Sequence, residues 1–518
     1  MRPILTAVVL SCVVSAISCS PRPADPPGAA GVTPIAAPPG TARPPFAFAA
    51  EDDRFLDEIQ RGAFNFFWRE FNPTGMAPDR TSAPMTVSTA GVGFQLSAFV
   101  IGSERGWVTK AAAQARTLRI LRALDANAGN RFNGLFFHFI DAKTAGLRDD
   151  MPEDVVSTID SALLFAGLLT AGQYFGGECQ EIASRLFAQA NWRSFVPGPD
   201  MTPTPKPWEK GFISLSWRPD SVKNPHGPGK LSQYYWLDNG DEHRLVTFLA
   251  VAAPNPEFAV DPAIYYRLRR PVGDFTSKNG QATGPMVFLP WSGAHFANIF
   301  AHCWINYGAL GVDNPASFGV ENRVAVDWWE NSRRQTQLHR RKAMDATGTV
   351  PTLSAHAWGL TSSDAPTGYA VPGVYPTAIA IPGARPEFDL PAYTPKDDLG
   401  DGTIAPYGAV SSVLFDPKAA LDAARYYRSI VRPDGSPLAW QDPSTGGVGF
   451  RDAFNLGSKW PGGWVAADDL AIDLGPMLVA IENARSGFVW QVFQKHSMVQ
   501  SGYARLRWEE RAERPEKK

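Results

Sequence analysis

Glu153-Asp154-Val155-Val156-Ser157-Thr158-Ile159-Asp160-Ser161-Ala162-Leu163-Leu164-Phe165-Ala166-Gly167 places three carboxylates at the start of an apolar helix. Ser157 stands where an N-cap belongs, and Asp160 follows three residues on, as in a capping box. From Leu163 to Leu168 the run is apolar enough to enter a core. The mouth of a buried helix can hold acids against a substrate. Acids are also welcome there for structural reasons, because the helix dipole favours negative charge at its N-terminus. The stretch alone admits both readings, and the rest of the chain has to separate them.

The chain has 518 residues, of which 44% are hydrophobic, 12% aromatic and 19% charged. That is a globular composition with few charges and a heavy aromatic load. Its 16 Trp and 31 Phe fill a core, and they also suit a cleft that stacks on flat ligands. A formal net charge of -2 argues against a nucleic-acid partner, which would favour a basic face.

Arg2 followed by the mostly apolar run Ile4 to Ile17 has the pattern of an export signal over residues 1–18, too short for a typical membrane span. Ala16 and Ser18 suit ordinary cleavage. Cys19 immediately after them also permits a lipid anchor, although Ala16 stands where a lipoprotein signal more often has Leu. The expected location is the periplasm or the cell surface. Any membrane association would run through a lipid on Cys19, since no later segment has the pattern of a transmembrane helix. Residues 19–50 are rich in Pro, Ala and Gly and are expected to be a linker. Cys179 and Cys303 could pair in an oxidising compartment or stay as two buried thiols.

Helical spacing is expected from Asp53 to Phe71, from Ser88 to Ile101, from Thr109 to Ala126 and from Ser157 to Gly172. Further helices are expected over Gln180–Ala190, Leu237–Ala253, Pro315–His339, Pro417–Ile430, Leu470–Ala484 and Phe488–Arg505. Gly134 to Phe139 has the pattern of a short extended piece, and residues 195–230 and 350–408 of long loops. Strand signals are scattered, and no βα alternation appears, so a doubly wound sheet or β/α barrel is excluded. An all-α domain of about a dozen helices over residues 51–505, with a charged tail at 506–518, fits a toroid of paired helices. In that architecture the inner helices point one set of ends at a common mouth, where first-turn acids converge.

Glycosidic cleavage needs two carboxyl groups, one giving a proton to the leaving oxygen and one activating water or attacking carbon. Glu242, after Asn239-Gly240-Asp241, is a first-turn acid that could face Asp160, Glu153 and Asp154. Asp401, Asp452 and Asp473 are later candidates, each beside or near glycine, where Asp is also an ordinary turn former. His138, His295, His302 and His356 lack metal-binding spacing such as H-E-x-x-H, so core or ligand-contacting roles are expected and no metal or cofactor is. Trp217, Trp291, Trp304, Trp358, Trp440 and Trp464 could stack on sugar faces or fill the core.

Several segments taken together resemble the glycoamylase-like domain family, which includes bacterial endo-β-1,2-glucanases of the glycoside hydrolase family 144 type. They begin with Phe64-Asn65-Phe66-Phe67-Trp68, Gly75 to Arg80, Ser88 to Phe94, Gly134 to Phe139 and Ser157-Thr158-Ile159-Asp160. Trp358-Gly359-Leu360-Thr361-Ser362-Ser363-Asp364 with Gly368-Tyr369, and Asp401-Gly402-Thr403-Ile404-Ala405-Pro406, continue the series. Gly449-Phe450-Arg451-Asp452-Ala453-Phe454-Asn455 and Asp473-Leu474-Gly475-Pro476 with Glu482-Asn483 complete it. The resemblance implies an (α/α)6 toroid, glycoside hydrolysis, and acids near Asp160 and at Glu242 lining the cleft. It implies inversion in the endo-glucanases and retention in related transglycosylases. One departure stands out. Relatives tend to carry Trp-Ile-Asp-Phe-Arg where this chain has Trp304-Ile305-Asn306-Tyr307-Gly308, so an acid and a base are gone and sugar subsites would differ if those residues bind sugar.

The expectation is an exported monomeric glycoside hydrolase acting on a β-glucan, with β-1,2-linked glucan or its oligosaccharides first. Catalytic candidates are Glu242, Asp160, Glu153, Asp154, Asp401 and Asp452. Substrate contacts are expected at His138, Trp217, Trp291, His295, Trp304, Trp358, Tyr369 and Asp473. A glycan-binding protein on the same toroid and a polysaccharide lyase are the alternatives. A lyase would need a Tyr or His base and a basic subsite for uronic acids, and the sequence shows no concentrated basic stretch.

Overall fold

Two helices that are apolar all round, Thr89–Glu104 and Thr158–Phe175, cross with glycine against glycine. A methyl group on Gly93 would run into the Leu163 carbonyl, and one on Gly167 into the carbonyl of Gly93. Such a helix must be enclosed on all sides, and both are buried over most of their length. The computed structural model describes residues 33–508 except 149, 151–154, 199–200, 202–203, 207, 222 and 381–394.

The two crossing helices begin an inner ring. It continues through Asp241–Ala252, the 3-10 turns His295–Asn298 and Ala301–Cys303, then Pro406–Ser411, then Ala471–Ser486, which packs back on Thr89–Glu104. Ala50–Trp68, Lys110–Ala126, Gly177–Ala188, Trp328–Asp345, Pro417–Ser429 and the pair Phe488–Gln494 and Ser497–Arg505 form the outer layer. This is the expected (α/α)6 toroid. The strands among the described residues are two to four residues long, and two of them run directly into inner helices. Thr86–Ser88 pairs with Phe139–Asp141, and Val156–Ser157 with Ser216–Pro219. Each first strand ends in a serine whose hydroxyl caps the following helix, Ser88 accepting from the Gly91 N–H and Ser157 from the Asp160 N–H.

Three sequence expectations change. The expected single helix over Pro315–His339 is a 3-10 turn, Pro315–Phe318, and a separate helix, Trp328–Asp345. Gly319, at φ +69°, ends the first, and the Asp327 carboxylate caps the second by accepting from the Glu330 N–H. Phe488–Arg505 breaks at His496, whose ring nitrogen accepts from the Met498 N–H. The tail begins buried, because Leu506 and Trp508 sit in the core and the Trp508 indole stacks on Phe248 with ring centroids 5.3 Å apart. Cys179 and Cys303 are both free and buried.

The linker expected over residues 19–50 is also structured from residue 33 onward. The Ile35 N–H donates to the Ala325 carbonyl, and the Ile35 carbonyl accepts from the Asp327 N–H. Arg43 forms an ion pair with buried Asp327, donates to the Gly308 carbonyl at 3.1 Å and lies over the Trp329 ring. The Phe46 N–H donates to the Ala484 carbonyl, at the C-terminal end of an inner helix. This strap therefore meets the C-terminal end of an inner helix and the start of an outer one, Trp328–Asp345. Asn306 and Gly308, the departure from the resembled pattern, lie beside it, and the Asn306 side chain caps Tyr307–Leu310. Residues 1–32, with the expected export signal and Cys19, and residues 509–518 lie outside the described residues, and no described helix is long and apolar enough to cross a membrane.

Candidate active site

Asp160 occupies the first turn of Thr158–Phe175, as its spacing from Ser157 requires. The Ser157 hydroxyl donates to Asp160 Oδ2 at 2.5 Å, and His138 Nε2 lies 3.5 Å from Asp160 Oδ1. The residue is a cap partner whose other carboxylate oxygen faces His138, so capping leaves it free to meet a second group. His138 is 36% exposed and stacks on Phe139.

Glu242 is the second residue of Asp241–Ala252. Burial pushes its carboxyl up to about 8, and the charges of Asp160 and then Asp241 push in the same direction. Part of its surface stays open. Its neighbours divide the labour. Asp241 is fully buried and structural, paired with Arg244 and accepting from the Ala301 N–H at 3.0 Å. His243 is buried and held neutral, its pKa pushed down to about 4 by burial, and its ring packs parallel to the half-buried Trp291 with centroids 5.6 Å apart.

A second group of acids gathers around the start of Ala471–Ser486. Asp473, in its first turn, and Asp452 are both almost fully buried. Burial raises both carboxyls, and their mutual approach lets the pair retain a proton. Asp452 Oδ2 accepts from the Asp364 N–H at 2.9 Å. Tyr369 lies opposite Asp364 in the hairpin of Ser363–Ala365 and Gly368–Ala370, partly exposed, with its hydroxyl pushed up by burial and by Asp473. Arg80 ties the hairpin down, donating to Asp364 at 3.1 and 3.2 Å and to Asp468 at 3.4 Å. Asp79 lies between the two groups. Burial raises its pKa, His138 and Arg80 oppose that rise, and the charge of Asp160 adds to it. Tyr369 in turn feels Asp79.

Glu242 thus lies within reach of the Asp160 charge, with His138 beside Asp160, while Asp452 and Asp473 form a second pair near Tyr369. Five expected contacts lie elsewhere. Trp217 is sandwiched, one face on Phe132 with ring centroids 3.7 Å apart and the Gly229 backbone against the ring. His295 is fully buried, bonded to the Ser412 hydroxyl at 2.8 Å and packed on His339, its pKa pushed down to about 3 by burial. Trp304 is a core residue donating to the Ser97 hydroxyl at 3.2 Å, and Trp358 is equally buried, its backbone N–H donating to the Tyr427 hydroxyl. Asp401 is exposed, and its carboxylate accepts from the Thr403 N–H and hydroxyl at 3.0 and 2.6 Å, a turn-forming contact. Glu153 and Asp154 lie outside the described residues.

Asp79, Arg80 and Asp364 were quoted in the resembling motifs but not singled out as site residues. Their signal was adjacency, a carboxylate beside an arginine in a loop, and only the fold shows that Arg80 meets residues 284 and 388 positions away. Among the described residues no three His, Cys, Asp or Glu side chains are grouped to hold a metal ion.

The family model described as "Glycoamylase: Putative glucoamylase" matches residues 233–497, more than half of the chain, and the chain belongs to that family. It is 25% identical over 487 residues to an exo beta-1,2-glucooligosaccharide sophorohydrolase (non-reducing end) from Parabacteroides distasonis. The match covers 88% of this chain but only 58% of that longer protein. The fold is shared with a beta-1,2-glucanase of Parabacteroides distasonis, at a TM-score of 0.66 and 22% identity over 89% of this chain and 60% of the other. It is shared too with an endo-beta-1,2-glucanase of Chitinophaga pinensis in complex with sophorotriose and glucose. There the TM-score is 0.65 at 20% identity, over 89% of this chain and 98% of the other.

Proposed function

We propose that this chain is a glycoside hydrolase acting on β-1,2-linked glucan or its oligosaccharides, with Glu242 as the proton donor. The observation that carries the reading is Glu242 itself. It is a carboxyl at a helix start, pushed up to about 8 by burial and by the nearby charges of Asp160 and Asp241, while part of its surface stays open. A general acid must be protonated at the working pH, and a partly dry, acid-lined recess supplies that condition.

The second carboxyl of the reaction comes from the Asp452–Asp473 pair. Two buried carboxyls that share one proton leave one charge, which serves to activate water or to meet the sugar carbon. Asp160, held by Ser157 and His138, positions substrate near the donor. Trp291 and Tyr369 supply partly exposed rings for sugar faces. The substrate class is favoured by what the similar proteins are named for, and the location outside the cytoplasm by the leader-like residues 1–18.

The test is product analysis with the purified protein on linear β-1,2-glucan, with a β-1,3-glucan, an α-glucan and a uronate polymer beside it. Short oligosaccharides from the β-1,2-glucan alone are expected. Binding without cleavage of any polymer would replace hydrolysis with a glycan-binding role. An ultraviolet-absorbing unsaturated product would replace it with a lyase.

A further inference from the structure

Asp79 is the carboxylate that neither group of acids holds. Its backbone is fixed on both sides, with the N–H donating to the Thr86 carbonyl at 2.8 Å and the carbonyl accepting from the Ala471 N–H at 3.1 Å. The next residue, Arg80, bridges to Leu470. A loop residue pinned to the starts of two inner helices is as immobile as a strand residue. Its side chain is different. It is 20% exposed, and beyond Arg80 Nε at 3.5 Å its oxygens have no hydrogen-bond donor among the described residues. That separation is at the outer limit of a useful hydrogen bond. Arg80 turns Nη1 to Asp364 and Asp468, and only its Nε faces Asp79.

A half-dry carboxylate without donors is costly unless something supplies them. The Ser157 hydroxyl satisfies Asp160, and Asp452 has the Asp364 N–H. Glu242 also lacks a donor among the described residues, but Asp79 is the partly exposed acid whose charge lies within reach of His138, Asp160 and Tyr369. An ionised carboxyl accepts through two oxygens side by side, the geometry that takes two neighbouring hydroxyls of one sugar ring.

We propose that Asp79 is a specificity residue that accepts hydrogen bonds from the adjacent 3- and 4-hydroxyls of the glucose ring bound between Glu242 and the Asp452–Asp473 pair. This deepens the hydrolase reading and rests on it. In a 1,2-linked glucan each internal ring has its 2-hydroxyl in the bond and keeps both the 3- and 4-hydroxyls. A 1,3-linked ring has lost the first and a 1,4-linked ring the second. A carboxylate that needs both donors turns away 1,3- and 1,4-linked rings, because each leaves an acceptor unpaired.

The experiment is calorimetric binding of a β-1,2-linked gluco-oligosaccharide and its 3-deoxy and 4-deoxy analogues, in the Glu242→Gln background to keep the ligands intact. Asp79→Ala and Asp79→Asn are compared with the parent. In the parent each deoxy analogue binds about ten- to a hundredfold more weakly than the intact sugar, the range for a hydrogen bond to a charged group. Asp79→Ala binds the intact sugar that much more weakly and no longer distinguishes it from the analogues. Discrimination that survives in a folded Asp79→Ala, or a parent that binds all three ligands alike, overturns the inference while leaving the hydrolase reading intact. A parent that binds no β-1,2-linked ligand overturns both. If Asp79→Ala does not fold, Asp79→Asn decides, since it keeps the shape and loses the charge. Loss of folding in both makes Asp79 structural and overturns the inference.

Discussion

Replacing Glu242 with Gln should stabilise the fold at neutral and alkaline pH while removing activity. The folded chain keeps a proton on Glu242 from its ordinary value near 4.5 up to about 8, whereas the unfolded chain has released it across that window. The folded state therefore binds more protons than the unfolded one, so stability falls as pH rises from 4.5 to 8 and is flat beyond. Each pH unit costs about 1.4 kcal/mol, or about 5 kcal/mol over the whole window if burial were complete. Glu242 keeps part of its surface in water, so roughly half of that, 2–3 kcal/mol, is the expected magnitude. Glutamine has the same shape and no charge, and removes the penalty. With an unfolding entropy of about 1 kcal/mol/K for a chain this long, the variant should melt about 2–3 °C above wild type at pH 8. At pH 4.5 the two should coincide. The assay is calorimetric melting of both proteins in half-unit steps from pH 4.5 to 8.5. A difference that does not grow with pH would refute the reasoning, because it would mean that Glu242 ionises as freely in the fold as in water.

Gly167→Ala adds a methyl where the Gly93 carbonyl stands, so the overpacking cost of about 1–3 kcal/mol outweighs the helix-propensity gain of about 1 kcal/mol. Melting should drop, and activity should fall with it because Asp160 rides on the displaced helix. Arg43→Ala leaves Asp327, 2% exposed, without its ion-pair partner and should cost about 2–3 kcal/mol in a thermal melt without changing KM. Trp291→Ala should raise KM on β-1,2-gluco-oligosaccharides with little loss of stability. Trp358→Ala, in the core, should destabilise by about 3–5 kcal/mol whatever the substrate.

The local parts of this molecule were legible in its residues. Ser157 and Asp160 carry a cap in their own spacing, and first-turn acids on inner helices follow once the toroid is inferred. Other features depend on chain segments that meet only in the fold. Trp291 and Trp358 are alike in sequence, yet one is half-buried against His243 of Glu242's helix and the other is sealed against Tyr427. Nothing local separates them. Asp401 and Asp452 both lie near glycine, but only Asp452 meets another acid, because Ala471–Ser486 brings Asp473 to it. Asp79 carries no local signal, because its neighbours come from three distant stretches. The strap was hidden by its composition. A Pro-rich segment has the pattern of a spacer, and the residues that dock it, Ile35, Arg43 and Phe46, are single contacts with no periodicity.

The most direct test of the account is the rate of hydrolysis of linear β-1,2-glucan by wild type and by Glu242→Gln, with binding of the same glucan measured in parallel. The account predicts short β-1,2-linked products from wild type. It predicts a rate at least about a hundredfold lower in the variant, the scale of a general acid, with binding retained. Equal rates in the two proteins would contradict the account and move the proton donor away from Glu242.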